Sequence, residues 1–181
     1  MNHHTYADGP LGRMLLTSDG LALTGLYFLG QKYQPMPPEN CADEPWAEPF
    51  AQVRAELAGY FAGARQRFDV ALAPEGTQFQ RRVWGALAAI PFGTTLSYLA
   101  LARLIDASRS VRAVGAAVGR NPISILIPCH RVIGSDGSLT GYAGGLDRKR
   151  RLLVLEAAAQ PLLQRPTPQI PVGMNRAESR T

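Results

Sequence analysis

The 181-residue sequence predicts an α+β protein in two parts: a small sheet-plus-helix domain over residues 1–76 and a mainly helical domain over 77–160, followed by a loose tail at 161–181. Three observations predict this. Short alternating apolar runs are confined to the first part, helical spacing dominates the second, and charge divides between them. Residues 1–76 carry a net −4, residues 77–160 a net +7 and the tail +2, within a total of +5. At 46% hydrophobic and 18% charged residues the composition is globular. No apolar run approaches the roughly 20 residues that cross a bilayer. The first eight residues lack the basic and apolar blocks of a signal peptide, so a cytoplasmic protein is expected. Cys41 and Cys129 cannot build a disulfide framework, and three histidines are too few for a conventional zinc module.

In the first part, Arg13–Thr17 and Leu21–Phe28 flank Ser18-Asp19-Gly20, and Asp-Gly between two apolar runs signals a β-hairpin. Residues 31–49 hold five prolines and read as an irregular connector. Phe50, Val53, Leu57, Tyr60 and Phe61 share one face of a helix over 50–64, and residues 67–72 alternate like a strand. Pro74-Glu75-Gly76 marks a boundary.

In the second part, Phe79, Val83, Trp84, Leu87 and Ile90 predict a helix over 77–90 that stops at Pro91. A helix over 97–105, bearing Leu101, Leu104 and Ile105, is followed by Asp106-Ala107-Ser108 and a helix near 109–119, with Ser108 as a candidate cap. Helix, short turn and helix is the spacing of a helix-turn-helix, although by length alone an ordinary helical hairpin is the more common outcome. The last of these helices sets Val111, Val114 and Val118 on one stripe and Arg112, Gly115, Ala116 and Gly119 on another. Such a bare face has too few donors to read base edges, yet it permits close approach to a DNA backbone or a narrow groove. The positive charge is almost all arginine, which forks onto phosphates and favours a nucleic-acid partner. An apolar run over 121–133, a turn or wing over 134–141 and a helix over 147–159 complete the chain.

Cys129-His130 is where chemistry concentrates. A thiol is only a few per cent ionised at neutral pH and needs a base or cation to act as a nucleophile. Taken alone, the dipeptide is more often a packed Cys beside a hydrogen-bonded His. Its setting is distinctive. Asn121-Pro122-Ile123-Ser124-Ile125-Leu126-Ile127-Pro128-Cys129-His130-Arg131-Val132-Ile133-Gly134, with Leu139-Thr140-Gly141-Tyr142-Ala143-Gly144-Gly145, resembles the active-site signature of the O6-alkylguanine-DNA alkyltransferases, the methylated-DNA–protein-cysteine methyltransferases. The likeness extends through Phe79–Trp84, Ser97-Tyr98, Arg112–Ala116, Arg148-Lys149 and Leu152-Leu153, and so spans residues 77–157.

The resemblance implies a ribonuclease-H-like first domain and a winged helix-turn-helix in the second. It implies direct, single-turnover repair of double-stranded DNA, in which Cys129 takes the alkyl group from a flipped O6-alkylguanine, with O4-alkylthymine a further substrate to consider. His130 would activate the thiol through a water, polarised by Glu156. Asn121 would brace the reactive turn, and Tyr98 would give a proton to the departing base. Arg112 would fill the gap left by the flipped nucleotide. Ser97, Ser110, Val111, Gly115 and Ala116 would meet DNA in the minor groove. Val132, Ser124, Val118, Tyr142, Ala143, Gly144 and Lys149 would line or order the pocket. No cofactor and no metal are expected, since Cys41, His3 and His4 are too thin a set for the zinc some members hold, and Cys41 reads as a bystander. A monomer is expected. Ser124 stands where some members carry proline, which bears on the alkyl groups accepted. The alternative is a sensor that binds alkylated DNA without repairing it; members of that kind replace the reactive cysteine, which is present here.

Overall fold

Asp19 closes the hairpin by accepting hydrogen bonds from the amides of Leu21 and Ala22, both at 2.8 Å, while Gly20 takes φ +97°, a conformation that side chains disfavour. In the computed structural model, which describes residues 3–36, 42–43 and 48–159, this turn joins β2 (Met14–Ser18) to β3 (Leu23–Phe28). A further strand, β1 (His3–Ala7), pairs antiparallel with β2, and β4 (Ala42–Asp43) adds in parallel to β1. The sheet order is β3-β2-β1-β4. Helix α1 (Phe50–Phe61) buries Phe50, Val53, Leu57 and Tyr60 in the core that the sheet shares. The connector residues around Cys41 and the tail from residue 160 lie outside the described residues.

Residues 67–72 are not a strand. They make one isolated parallel bridge, Leu72 with Leu23, through Leu23 N–H to Ala71 O and Ala73 N–H to Leu23 O, both 2.9 Å. The rest of that β3 edge is taken by a second bridge, Leu26 with Ile123. Leu26 N–H donates to Pro122 O at 2.8 Å and Ser124 N–H to Leu26 O at 2.9 Å. An edge strand has backbone groups to satisfy, and here two separate segments cap it, one of them belonging to the Cys129 region.

Helix α2 (Gln78–Ala88) starts on a capping box: Thr77 N–H donates to Gln80 Oε1 and Gln80 N–H to Thr77 Oγ1. Its Trp84 indole N–H donates to Ala117 O at 2.9 Å, pinning α2 to α4 (Val111–Gly119). Between them, β5 (Leu96–Ser97) leads into α3 (Tyr98–Leu104), with Ser97 capping through its hydroxyl. Ser108 does not cap α4. A single 3-10 turn, Ser108–Ser110, intervenes, and neither it nor α4 has a side-chain cap. Leu104 is 67% exposed instead of buried, because the core side of this short helix is filled by Leu101 and Ala102. The segment after Cys129 gives β6 (Val132–Ile133), parallel to β5. The wing is an irregular loop with a turn from Gly134 to Ser138. Helix α5 (Leu146–Ala159) ends the described residues and buries Lys149, Leu152 and Glu156 along one face. No helix among the described residues is long and apolar enough to cross a membrane.

Gly76 sits under the Trp84 ring, where an added Cβ would lie 2.5 Å from one ring carbon and 2.7 Å from another. Gly76→Ala is therefore expected to cost about 1–3 kcal/mol, the usual penalty of overpacking. Urea unfolding of the variant beside wild type reads this as a lowered midpoint with an unchanged slope.

Candidate active site

Asn121 builds the reactive turn. Its Oδ1 accepts from Ile123 N–H at 3.0 Å, and its Nδ2 donates to Ile127 O at 2.7 Å and to Cys129 Sγ at 3.1 Å. One side chain thus folds residues 121–129 back on themselves and places a donor on the sulfur. Within this loop Ile125 takes φ +71°, a strained conformation for a β-branched residue. Cys129 opens the 3-10 turn Cys129–Arg131 and is 4% exposed. Burial pushes the thiol up, against the Asn121 hydrogen bond and the Lys149 charge that pull it down. In the resting protein Cys129 is therefore a thiol that needs a base.

His130 is fully buried, and its Nε2 lies 2.7 Å from Glu156 Oε1 on α5. Burial lowers the imidazole below its ordinary value, with Glu156 opposing that shift. A neutral imidazole that donates from Nε2 leaves Nδ1 as the basic nitrogen. That Nδ1 is buried with no hydrogen-bond partner among the described residues. Of the two imidazole nitrogens it is the one able to accept a proton.

Burial works against charge on Glu156, but hydrogen bonds from His130 and Arg131 overcome it and hold the carboxyl at about 2. Arg131 donates from Nε at 2.9 Å to Oε2 and from Nη2 at 2.9 Å to Oε1. Gly93 N–H adds 3.0 Å to Oε2, and the Tyr60 hydroxyl of α1 donates at 2.8 Å to Oε1.

Above the thiol, the loop at residues 140–145 is gathered by Lys149. This fully buried lysine donates to the carbonyls of Val132, Thr140 and Gly141, and burial draws its ammonium down to about 8. The Tyr98 hydroxyl, at the start of α3, shares two of these acceptors, Thr140 O at 3.2 Å and Gly141 O at 3.1 Å. Gly141 has φ +56°, and a Cβ there would lie 2.8 Å from that hydroxyl, so the loop backbone rests directly on Tyr98. Burial raises Tyr98 and Tyr142, and negative charge on Cys129 would raise both further. Both phenols stay protonated and both sense the sulfur.

Cys129, His130, Glu156 and Asn121 thus form one contiguous set, with Lys149 and Tyr98 near enough to act electrostatically on Cys129 and with Val132 O held by Lys149. The Tyr142 hydroxyl is buried, and Ser124 acts on it against the rise that burial imposes. Ser124 is buried, 3.4 Å from Gln31 Oε1 of the first domain. Ala143 O accepts from Lys32 N–H, and Gly144 O from Arg148. Val118 is 3% exposed in the core stripe of α4. On the other side of α4, Arg112 and Ala116 are exposed, and Gly115 is half-buried with Tyr98 3.8 Å from where its Cβ would stand. Ser110 is exposed and Val111 half-buried at the helix start. Ser97 spends its hydroxyl on the α3 cap.

Four participants have no role legible in the sequence. Arg131 lies inside the motif with nothing to single it out. Tyr60 read only as an apolar face residue, Gln31 as part of a connector, and Gly93 contributes an amide that no side-chain pattern announces. Lys149 and Glu156 carried a usable signal, being charged residues at spacing seven on the face that holds Leu152. Among the described residues no group of three or more His, Cys, Asp or Glu is placed to hold a metal ion.

Known proteins resemble this chain across both of its parts. The family model described as 6-O-methylguanine DNA methyltransferase, DNA binding domain, matches residues 78–158, and the corresponding ribonuclease-like domain matches residues 2–74. A methylated-DNA–protein-cysteine methyltransferase of Mycobacterium bovis is 48% identical over 161 residues, covering 89% of this chain and 96% of the relative. One from Haemophilus influenzae is 46% identical, covering 85% and 86%. Among solved structures, Mycobacterium tuberculosis OGT in complex with DNA superposes with a TM-score of 0.81 at 46% identity, over 88% of this chain and 96% of that one. On both domain models and on these identities, the chain belongs to the 6-O-methylguanine DNA methyltransferase family.

Proposed function

We propose that this protein repairs double-stranded DNA by moving the alkyl group of O6-alkylguanine onto Cys129, once per molecule. The observation that carries the reading is a buried thiol held by Asn121 in the same turn as a neutral imidazole, whose Nε2 is fixed on an ionised carboxylate and whose Nδ1 is unused. This is the nucleophile–base–orienter arrangement. His130 Nδ1 takes the thiol proton through a bridging water, and Glu156 stabilises the imidazolium that results. The sulfur forms a C–S bond to the alkyl carbon as the C–O6 bond breaks. The electron pair leaves with the guanine, and the Tyr98 phenol, kept protonated by burial, supplies a proton to it. The product thioether has no leaving route among these side chains, so the site does not turn over.

A base within a duplex must be extruded before the sulfur can reach it, at a cost of a few kcal/mol that is least for a damaged pair. The exposed Arg112 and the bare Gly115–Ala116 face of α4 support a role in entering the minor groove and replacing the flipped nucleotide. The net +7 of residues 77–160 supports sequence-independent attraction to phosphates. The M. tuberculosis relative solved with DNA supports the same partner here. Val132, Ser124, Val118, Tyr142, Ala143, Gly144 and Lys149 would bound the pocket for the flipped base. The monomer remains part of the proposal. Nothing in the site favours a sensor that binds damage without repairing it.

Intact-protein mass spectrometry after incubation with a duplex bearing one O6-methylguanine tests the reading. A gain of one methyl on the Cys129 peptide, absent in Cys129→Ala while that variant still binds the duplex, is the expected result. Binding with no gain in mass would refute it.

The same carboxylate ties stability to pH. Glu156 is depressed to about 2 in the fold, so its contribution is present above its unfolded value near 4.3 and is lost as pH falls towards 2. His130 acts in the same sense. Its folded value lies below the unfolded one near 6.5, so the unfolded chain gains the proton first as pH drops. Urea unfolding from pH 7 to pH 3 should show wild type losing stability more steeply below pH 4.5 than Glu156→Gln, by a few kcal/mol at most. Parallel curves would contradict the ionised, buried Glu156.

A further inference from the structure

Tyr60, from the first domain, hydrogen-bonds to the carboxylate behind His130. It is fully buried on α1, and its hydroxyl lies 2.8 Å from Glu156 Oε1. That oxygen also faces His130 Nε2 at 2.7 Å and Arg131 Nη2 at 2.9 Å. Burial and the Glu156 charge both raise the phenol, so it keeps its proton and can only donate to the carboxylate. Aromatic rings fix its orientation: Phe61 and Phe68 with centroids at 5.4 Å, and Phe92 edge-on at 6.1 Å. Phe92 in turn lies under the Arg131 guanidinium at 5.7 Å. The other oxygen of Glu156, Oε2, accepts from Gly93 N–H and from Arg131 Nε, which also donates to Oε1 at 3.2 Å.

We propose that Tyr60 is a positioning residue for alkyl transfer, whose hydroxyl competes with His130 for Glu156 Oε1 and so limits how strongly the carboxylate favours the imidazolium. This rests on the reading of His130 as the base. The groups that face His130 are few. From α5 come Glu156, which favours its protonation, and Lys149, which opposes it; from its own turn come Arg131, which also opposes it, and the Cys129 thiol. Tyr60 reaches the pair from α1, and the loop before β5 offers only the uncharged Gly93 amide. With the hydroxyl in place the carboxylate spreads its charge over an extra donor, and His130 stays neutral with Nδ1 open. Without it, Glu156 stays anchored by Arg131 and Gly93, but its charge falls more fully on Nε2–H. The first domain therefore contributes to the chemistry as well as to the core.

Tyr60→Phe removes one oxygen and keeps the ring. Two readouts apply: an NMR titration of the His130 ring in the free protein, and the single-turnover rate of methyl gain on Cys129 against pH. The variant should raise the His130 midpoint by about one pH unit, the scale of one hydrogen bond to a charged group. The acid limb of the rate profile should move up equally, which is roughly a tenfold loss of rate at any fixed pH on that limb. Phe68→Leu loosens the ring's packing without touching the hydroxyl. It should lower stability and leave both midpoints where wild type has them. The proposal is overturned if Tyr60→Phe leaves the His130 midpoint within about 0.2 units of wild type, or if Phe68→Leu moves it as far. A wild-type protein that gains no methyl would overturn the proposed function instead, while the titration in the free protein still decides the role of Tyr60.

Discussion

Glu156 is a carboxylate with no exposure to water, and such a group is tolerated only when its charge is paired and its lone pairs find donors. Its donors come from three places in the fold. Arg131 and His130 come from the reactive turn, Gly93 from the loop before β5, and Tyr60 from the first domain. Removing any one partner leaves the others facing an under-compensated buried charge, which is how such pairs resist change. The requirement to satisfy this one group therefore fixes the turn, the loop and the interface between domains together. The orientation of the base follows from it.

The reactive turn is held just as firmly from its other end. Asn121 spans the loop to Cys129, and the backbone on either side of Ile123 completes the exposed edge of β3. Ile125 sits between these anchors in a left-handed conformation, and a cost of about 1–3 kcal/mol of that kind persists only where the surroundings over-determine it. Arg148 adds another tie, donating to Leu11 O at 2.8 Å and lying over the Phe28 ring at 4.7 Å. The first domain thus acts as a brace on a strained loop. A nucleophile that must meet its substrate in one geometry benefits from such pre-organisation.

The fold class and most of the site were legible in the sequence because they rest on local pattern and on a specific motif. Asp19-Gly20 between apolar runs announced the hairpin, and the segment from Asn121 to Gly134 announced the chemistry. What escaped depends on long-range contact. Residues 67–72 alternate like a strand, yet the edge of β3 they face is shared with residues 122–124, so only one bridge forms. Strand β1 begins with two histidines and has no apolar alternation until Tyr6 and Ala7; its pairing with β2 makes it a strand. Ser108 looked like a cap because its residue type is right, but a 3-10 turn moves the start of α4 beyond it. Tyr60 fitted an apolar stripe so well that nothing in its spacing hinted at a hydroxyl reaching Glu156, 96 residues away.

Burial leaves His130 neutral, and Glu156 fixes its proton on Nε2, with Nδ1 left without a partner among the described residues. Nitrogen-15 NMR of the imidazole in the resting protein at neutral pH reads this directly. One protonated nitrogen, Nε2, coupled to the carboxylate, and an unprotonated Nδ1 are the expected result. A proton on Nδ1, or an imidazolium at that pH, would contradict it.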